Sequence, residues 1–172
     1  MSNIIELELW YELSRLEARY WREVDCNAGR DAHEFYRTDG VFRIGKNCFA
    51  GRDCIRLFYQ WRESHCHATT TRHFVDNLIV ESAGEDFARA VGLVTYLRKD
   101  RVAMGSKGTA PVLIADLVSD CVRGDDGVWR YASHALAPAL ASDFAPLSMS
   151  VTPEFLTTAQ RRRDATALAD AR

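Results

Sequence analysis

Neither sign of charge is in excess in this chain: 22 lysines and arginines stand against 24 aspartates and glutamates, a formal net charge of −2. That balance creates no field to draw nucleic acid or an anionic membrane surface, and it excludes both as expected partners. Long apolar runs are lacking as well. No stretch approaches the roughly 18 apolar residues that cross a bilayer, and Met1-Ser-Asn-Ile-Ile-Glu-Leu-Glu has no basic segment leading into an apolar one, so a cytoplasmic protein is expected. The five cysteines, at 26, 48, 54, 66 and 121, are odd in number and lack CxxC spacing, which reads as reduced, partly buried thiols rather than a disulfide framework. His65-Cys66-His67 is a weak metal motif, because adjacent side chains rarely converge on one ion and no second cluster has ligand spacing. Neither metal nor cofactor is expected. With 172 residues and no internal repeat or low-complexity linker, the chain suits one core and one site.

What is present begins with a helix. Ile5, Leu9, Leu13, Leu16, Tyr20 and Val24 recur at spacings of four and three, the pattern of one buried stripe, and Cys26-Asn27-Ala28-Gly29 is a stop signal. A short helix through Asp31 to Tyr36, a turn at Thr38-Asp39-Gly40 and a brief strand at Val41–Ile44 follow. Gly51-Arg-Asp53 opens another helix through Cys54, Ile55, Leu57, Phe58 and Trp61. The period then changes to four strand-like runs, about 70–81, 87–99, 112–122 and 128–136, separated by turn-like segments, which predicts an antiparallel meander that curls. Alternation leaves open whether Val91, Leu93 and Thr95, or their neighbours, face inward, and likewise for Val112, Ile114, Asp116 and Val118. The expected domain is 1–140, with 141–172 as a partly helical tail whose Arg161-Arg-Arg163 is a solvated face.

One histidine stands out. His73 sits in the apolar, β-branched run Thr69-Thr-Thr-Arg-His-Phe-Val-Asp-Asn-Leu-Ile-Val80, where a charged imidazole is costly without a partner. Asp25 is available near the end of the first helix, where the dipole slightly disfavours a carboxylate and a special reason for its presence is called for. Brought together, the two would form a general acid/base pair at the mouth of an apolar pocket. Asn77 shares the face of His73 unless a bulge intervenes. Tyr20, Trp21, Phe42, Phe58, Trp61 and Tyr96 are candidates to line the pocket, and His134 is either a second acid or anion clamp or a surface residue.

The first-helix ending Tyr20-Trp-Arg-Glu-Val-Asp25 is followed by Thr38-Asp-Gly-Val-Phe42, Gly51-Arg-Asp-Cys-Ile55, Arg72-His-Phe-Val-Asp-Asn77 and the hairpin Asp125-Asp-Gly-Val-Trp-Arg130. In this order and spacing, over about Leu7 to Leu136, the chain resembles the SnoaL-like branch of the nuclear transport factor 2-like (NTF2-like) superfamily. The resemblance implies an α+β cone, a strongly curved, mostly antiparallel sheet wrapped around N-terminal helices. Dehydratases and dehydrochlorinases of this type carry an Asp–His dyad, and the matching positions are Asp25 and His73. It implies a cofactor-independent lyase or isomerase, of dehydratase, dehydrochlorinase or polyketide-cyclase type, acting on a small hydrophobic ligand, aromatic or polycyclic. Two other readings share the fold: the non-catalytic small (beta) subunit of an aromatic-ring-hydroxylating dioxygenase, and a ligand-binding module without turnover. The outer sheet face is expected to pack on a second copy as a homodimer, with a trimer as the alternative.

Overall fold

The computed structural model describes residues 3–65, 69–100, 111–142, 149, 151–158 and 160, apart from the side chains of 3–5, 82 and 100. The expected loop at 101–110, Cys66 and His67 of the metal motif, and Arg161–Arg163 lie outside the described residues. Helix α1 (Asn3–Cys26) buries Leu13, Leu16, Glu17, Tyr20, Trp21 and Val24. It ends where the stop signal falls: Ala28 and Gly29 take positive φ, and a Cβ on Gly29 would overlap the Tyr59 ring. A 3-10 turn (Ala32–Phe35) leads into β1 (Tyr36–Ile44), which hairpins into β2 (Asn47–Ala50) before helix α2 (Arg52–His65).

Strands β3 (Thr69–Ala83), β4 (Phe87–Asp100), β5 (Leu113–Arg123) and β6 (Trp129–Ala141) form the antiparallel meander. β6 then pairs in parallel with β1, giving one curved, open six-stranded sheet in the order β2-β1-β6-β5-β4-β3. The architecture is α+β, with α1 laid along edge strand β3. Residues 153–158 are helical, with Val151 and Leu156 buried. Among the described residues no helix is long and apolar enough to cross a membrane.

One expectation changes, and one strand is added. Thr38-Asp39-Gly40 lies within β1 as a register irregularity against β6, not as a turn before it; a Cβ at Gly40 would stand 2.8 Å from the Tyr131 carbonyl oxygen, so the close approach of the two strands needs glycine there. Asn47–Ala50, without any signal of its own, is a strand, held by pairing with β1. The open question of strand faces is also resolved. Ala88, Ala90, Val94 and Tyr96 of β4, and Leu113, Ala115, Leu117, Ser119 and Cys121 of β5, face the core. The more apolar-looking Val91, Leu93, Ile114 and Val118 face outward, half-buried. The concave side already holds Tyr20, Tyr36 and Tyr131 at zero exposure, so the strands crossing it contribute mostly smaller residues.

Candidate functional site

Because α1 and β3 run antiparallel, the end of the helix meets the start of the strand. Asp25 Oδ1 lies 2.7 Å from His73 Nδ1, and Asp25 Oδ2 accepts the His73 backbone N–H at 2.7 Å. The Thr71 hydroxyl donates to Oδ1 at 2.8 Å, so the carboxylate is bound on both oxygens. The pair is sheltered: the side chains are 10% and 6% exposed. The His73 ring lies between Trp21, stacked at 4.1 Å, and Tyr96, stacked at 4.6 Å, and these two faces fix its plane.

Burial pushes the His73 imidazole below its ordinary pKa, with Asp25 opposing only in part. Burial pushes Asp25 up, but the hydrogen bond and charge of His73, its backbone N–H and Thr71 together hold the carboxyl below its ordinary value. The combination is an ionised carboxylate beside a neutral imidazole, with Nδ1–H directed at the acid and Nε2 carrying the free lone pair.

A cleft of about 650 Å³ opens beside the pair, between α1 and β3. Its helical wall is two rows at four-residue spacing: Trp10, Ser14, Ala18 and Arg22, then Glu17, Trp21 and Asp25. The strand wall runs from Arg72 to Leu78. Trp10 Nε1 donates to the Leu78 carbonyl at 2.8 Å and ties the far end. Arg22 and Arg72 therefore flank the dyad end, and Trp10 and Leu78 form the apolar end. Arg22 makes no ion pair among the described residues.

The other expected lining residues are placed differently. Asn77 lines the cleft but not on the face of His73: a bulge between Asp76 and Ile79 leaves it exposed in a left-handed conformation, φ 54°. Tyr96 reaches the site as the platform under His73. Tyr20 is fully buried in a hydroxyl chain, accepting from Tyr36 at 2.9 Å and contacting Tyr59. Phe42 and Phe58 pack with Phe49 in the core, away from this cleft. Trp61 is half-buried and stacks on His65.

His134 is neither on the surface nor in the cleft but fully buried, its Nε2 3.2 Å from Glu17. The reason is a second bulge. The β5–β6 register shifts between Asp120 and Cys121, skipping Ala132 and turning His134 inward. Glu17 also accepts from Ser119 at 2.7 Å and from Trp21 Nε1 at 3.1 Å. Burial pushes the Glu17 carboxyl up, but the charge and hydrogen bond of His134, with Ser119, bring it below its ordinary value. Glu17 thus links the core to the ring stacked on His73. Glu17, Thr71, Arg62 and Trp10 were not singled out from the sequence.

The fold agrees with the outcome of comparison with known proteins. The model of the SnoaL-like domain matches residues 6–134. The chain belongs to the SnoaL-like domain family. A scytalone dehydratase-like protein from Novosphingobium aromaticivorans superposes on this SnoaL-like chain with a TM-score of 0.70 at 17% identity, covering 85% of this chain and 93% of that one. ActVI-ORFA from Streptomyces coelicolor gives 0.66 at 17% identity, covering 76% and 98%. A Catenulispora acidiphila protein solved in complex with S-DNPA gives 0.64 at 21%, covering 77% and 94%. At these identities the structural neighbours speak to fold alone. No curated protein matches the sequence.

Proposed function

We propose that this SnoaL-like protein is a cofactor-independent lyase or isomerase in which His73 is the general base and Asp25 orients it. The observation that carries the reading is the sheltered 2.7 Å contact between Asp25 Oδ1 and His73 Nδ1. With Nδ1–H engaged, Nε2 takes a proton from carbon beside a carbonyl, or beside a carbon bearing a leaving group. The electron pair of that C–H bond then forms an enolate, or a double bond as the leaving group departs with its own pair. The Asp25 carboxylate stabilises the imidazolium formed at that moment.

The cleft suits a small, flat ring compound. Its volume falls within the range of about 300–1,000 Å³ usual for small-molecule sites, Trp10, Trp21 and Leu78 supply apolar walls, and Arg22 and Arg72 stand near the dyad where negative charge would develop on a substrate oxygen. The scytalone dehydratase-like neighbour supports the dehydratase form of the reading. The test is turnover of a panel of ring ketones, β-hydroxy ketones and ring halides by the wild type, His73→Gln and Asp25→Asn. Loss of one general base lowers turnover by about 10²–10⁴-fold, and that fall is expected for His73→Gln at unchanged Tm. Full activity in His73→Gln removes the base assignment, and binding without turnover in every variant leaves a ligand-binding module.

A further inference from the structure

Asp25 occupies a poor place for a carboxylate. It lies in the last turn of α1, where unpaired carbonyls concentrate partial negative charge, and that turn contains no basic residue. The compensation comes from another helix. Arg62 of α2 donates Nη1 to the Val24 carbonyl at 3.2 Å and the Ala28 carbonyl at 3.3 Å, and Nη2 to Thr71 Oγ1 at 3.1 Å. It makes no ion pair among the described residues, so its charge is not taken up by a surface carboxylate.

The hydroxyl of Thr71 has one proton. Since it accepts from Arg62, that proton is left for Asp25 Oδ1. We propose that Arg62 is the positioning residue of the Asp25–His73 pair: one guanidinium caps the end of α1, orients the Thr71 hydroxyl and so holds the carboxylate square to the imidazole. This rests on the reading of His73 as the base, and it extends the working unit to Arg62–Thr71–Asp25–His73. The planar, rigid fork of arginine spans both tasks at once, which a lysine ammonium on a flexible stem does poorly. A hollow of about 280 Å³ lined by Val24, Asp25, Cys26, Ala28, Arg62 and Thr71 adjoins the guanidinium, so shortening the side chain widens existing space rather than forcing a clash.

The charged and titratable groups around the imidazole are Asp25, Glu17 and Arg22 from α1, Arg62 from α2, Arg72 on its own strand, Tyr96 from β4 and His134 from β6. Among the described residues, Thr71 joins Arg62 to Asp25. The experiment follows the tautomer and titration of the His73 ring by ¹⁵N NMR, together with its carbethoxylation rate by diethylpyrocarbonate mapped by mass spectrometry. Neither measurement requires turnover. Wild type, Thr71→Val, Arg62→Met, Arg62→Lys and the Thr71→Val/Arg62→Met double variant are compared.

The wild type is expected to keep Nδ1 protonated and Nε2 bare at neutral pH. Loss of a hydrogen bond of about 1 kcal/mol corresponds to a titration midpoint of His73 raised by about half to one pH unit, a three- to tenfold gain in its proton affinity; this is expected in Thr71→Val and in Arg62→Met, with slower modification below the raised midpoint. Arg62→Lys should recover part of the rate, and the double variant should fall no further than the larger single effect. An unaltered tautomer and midpoint in folded Thr71→Val overturns the proposal. So does a shift in Arg62→Met that Thr71→Val does not share, which marks a through-space charge effect. Thr71→Val alone decides the matter if Arg62→Met does not fold. Retained activity in His73→Gln would strike the base assignment while leaving these NMR outcomes interpretable.

Discussion

The imidazole of His73 meets two opposed demands, since burial favours its neutral form and Asp25 favours its charged one. Burial is the larger, so the ring enters the reaction neutral. The consequence for activity has a definite sign. A base whose pKa is depressed stays unprotonated to lower pH, so the acid limb of kcat/KM is expected below the ordinary imidazole value of about 6.5, measured as a pH–rate profile on any substrate found in the panel. A limb at or above that value contradicts a buried neutral base. Stability has the same sign: the unfolded chain protonates His73 before the folded one does, so this contribution is lost as pH falls below the unfolded value. The contribution of Asp25, also depressed, is present above its unfolded value and lost as pH falls through the lower folded one. Both residues of the pair were legible in the sequence, because a histidine among β-branched residues and an acid at a helix C-terminus each call for a partner. Glu17 offered the same signal, a carboxylate on the stripe of Leu13, Leu16 and Tyr20. Arg62 and Thr71 did not, since their roles depend on α2 crossing the end of α1.

At the scale of elements, helix existence and the four long strands followed from periodicity, whereas faces and registers did not, because bulges change the parity of a strand without leaving a clear mark in composition. The bulge in β3 is the instructive case. Thr71, His73 and Val75 share one face, Asn77 then takes φ 54°, and Leu78 and Val80 resume the inward set. The permissive residue lies on the neighbouring strand. A Cβ at Gly92 would stand 3.0 Å from the Asp76 carbonyl oxygen and 3.3 Å from Leu78 Cα, both backbone atoms with little freedom to yield. Gly92→Ala is therefore expected to destabilise the fold by about 1–3 kcal/mol, the usual cost of overpacking, read from urea denaturation. Because the bulge sets the strand wall of the cleft beyond Val75, the same variant should weaken ligand binding more than it perturbs the His73–Asp25 contact. An unchanged midpoint of denaturation would mean that the sheet opens at this point at no cost.

For the whole molecule, the curved sheet has two faces, and the concave one is filled by the aromatic core and α1. The convex one carries Val91, Leu93, Ile114 and Val118 half-buried, with Phe74 51% and Ile79 57% exposed at the β3 edge. Register places Phe74, Thr95 and Ile114 in one row across three strands, and Ile79, Val91 and Val118 in another. Between them lies the row Asp76, Leu93 and Asp116, so the patch is apolar on either side of a band that carries two carboxylates. We propose that a second copy covers it through a two-fold contact, the arrangement in which one patch is its own complement. A stable contact of this kind removes about 800 Å² from each partner. Ile79→Glu tests this cleanly, because a side chain more than half exposed in the single chain adds little to the fold and a carboxylate there can remain solvated. Sedimentation velocity is expected to show a dimer for the wild type and a folded monomer for Ile79→Glu, its Tm lowered by the loss of the partner's contribution. A wild type that sediments as a monomer at tens of micromolar contradicts the assembly, and a trimer would move the contact to another surface. The cleft shares Phe74 with the patch but is not lined by Ile79, so the monomeric variant should still bind the ligand, which separates assembly from chemistry.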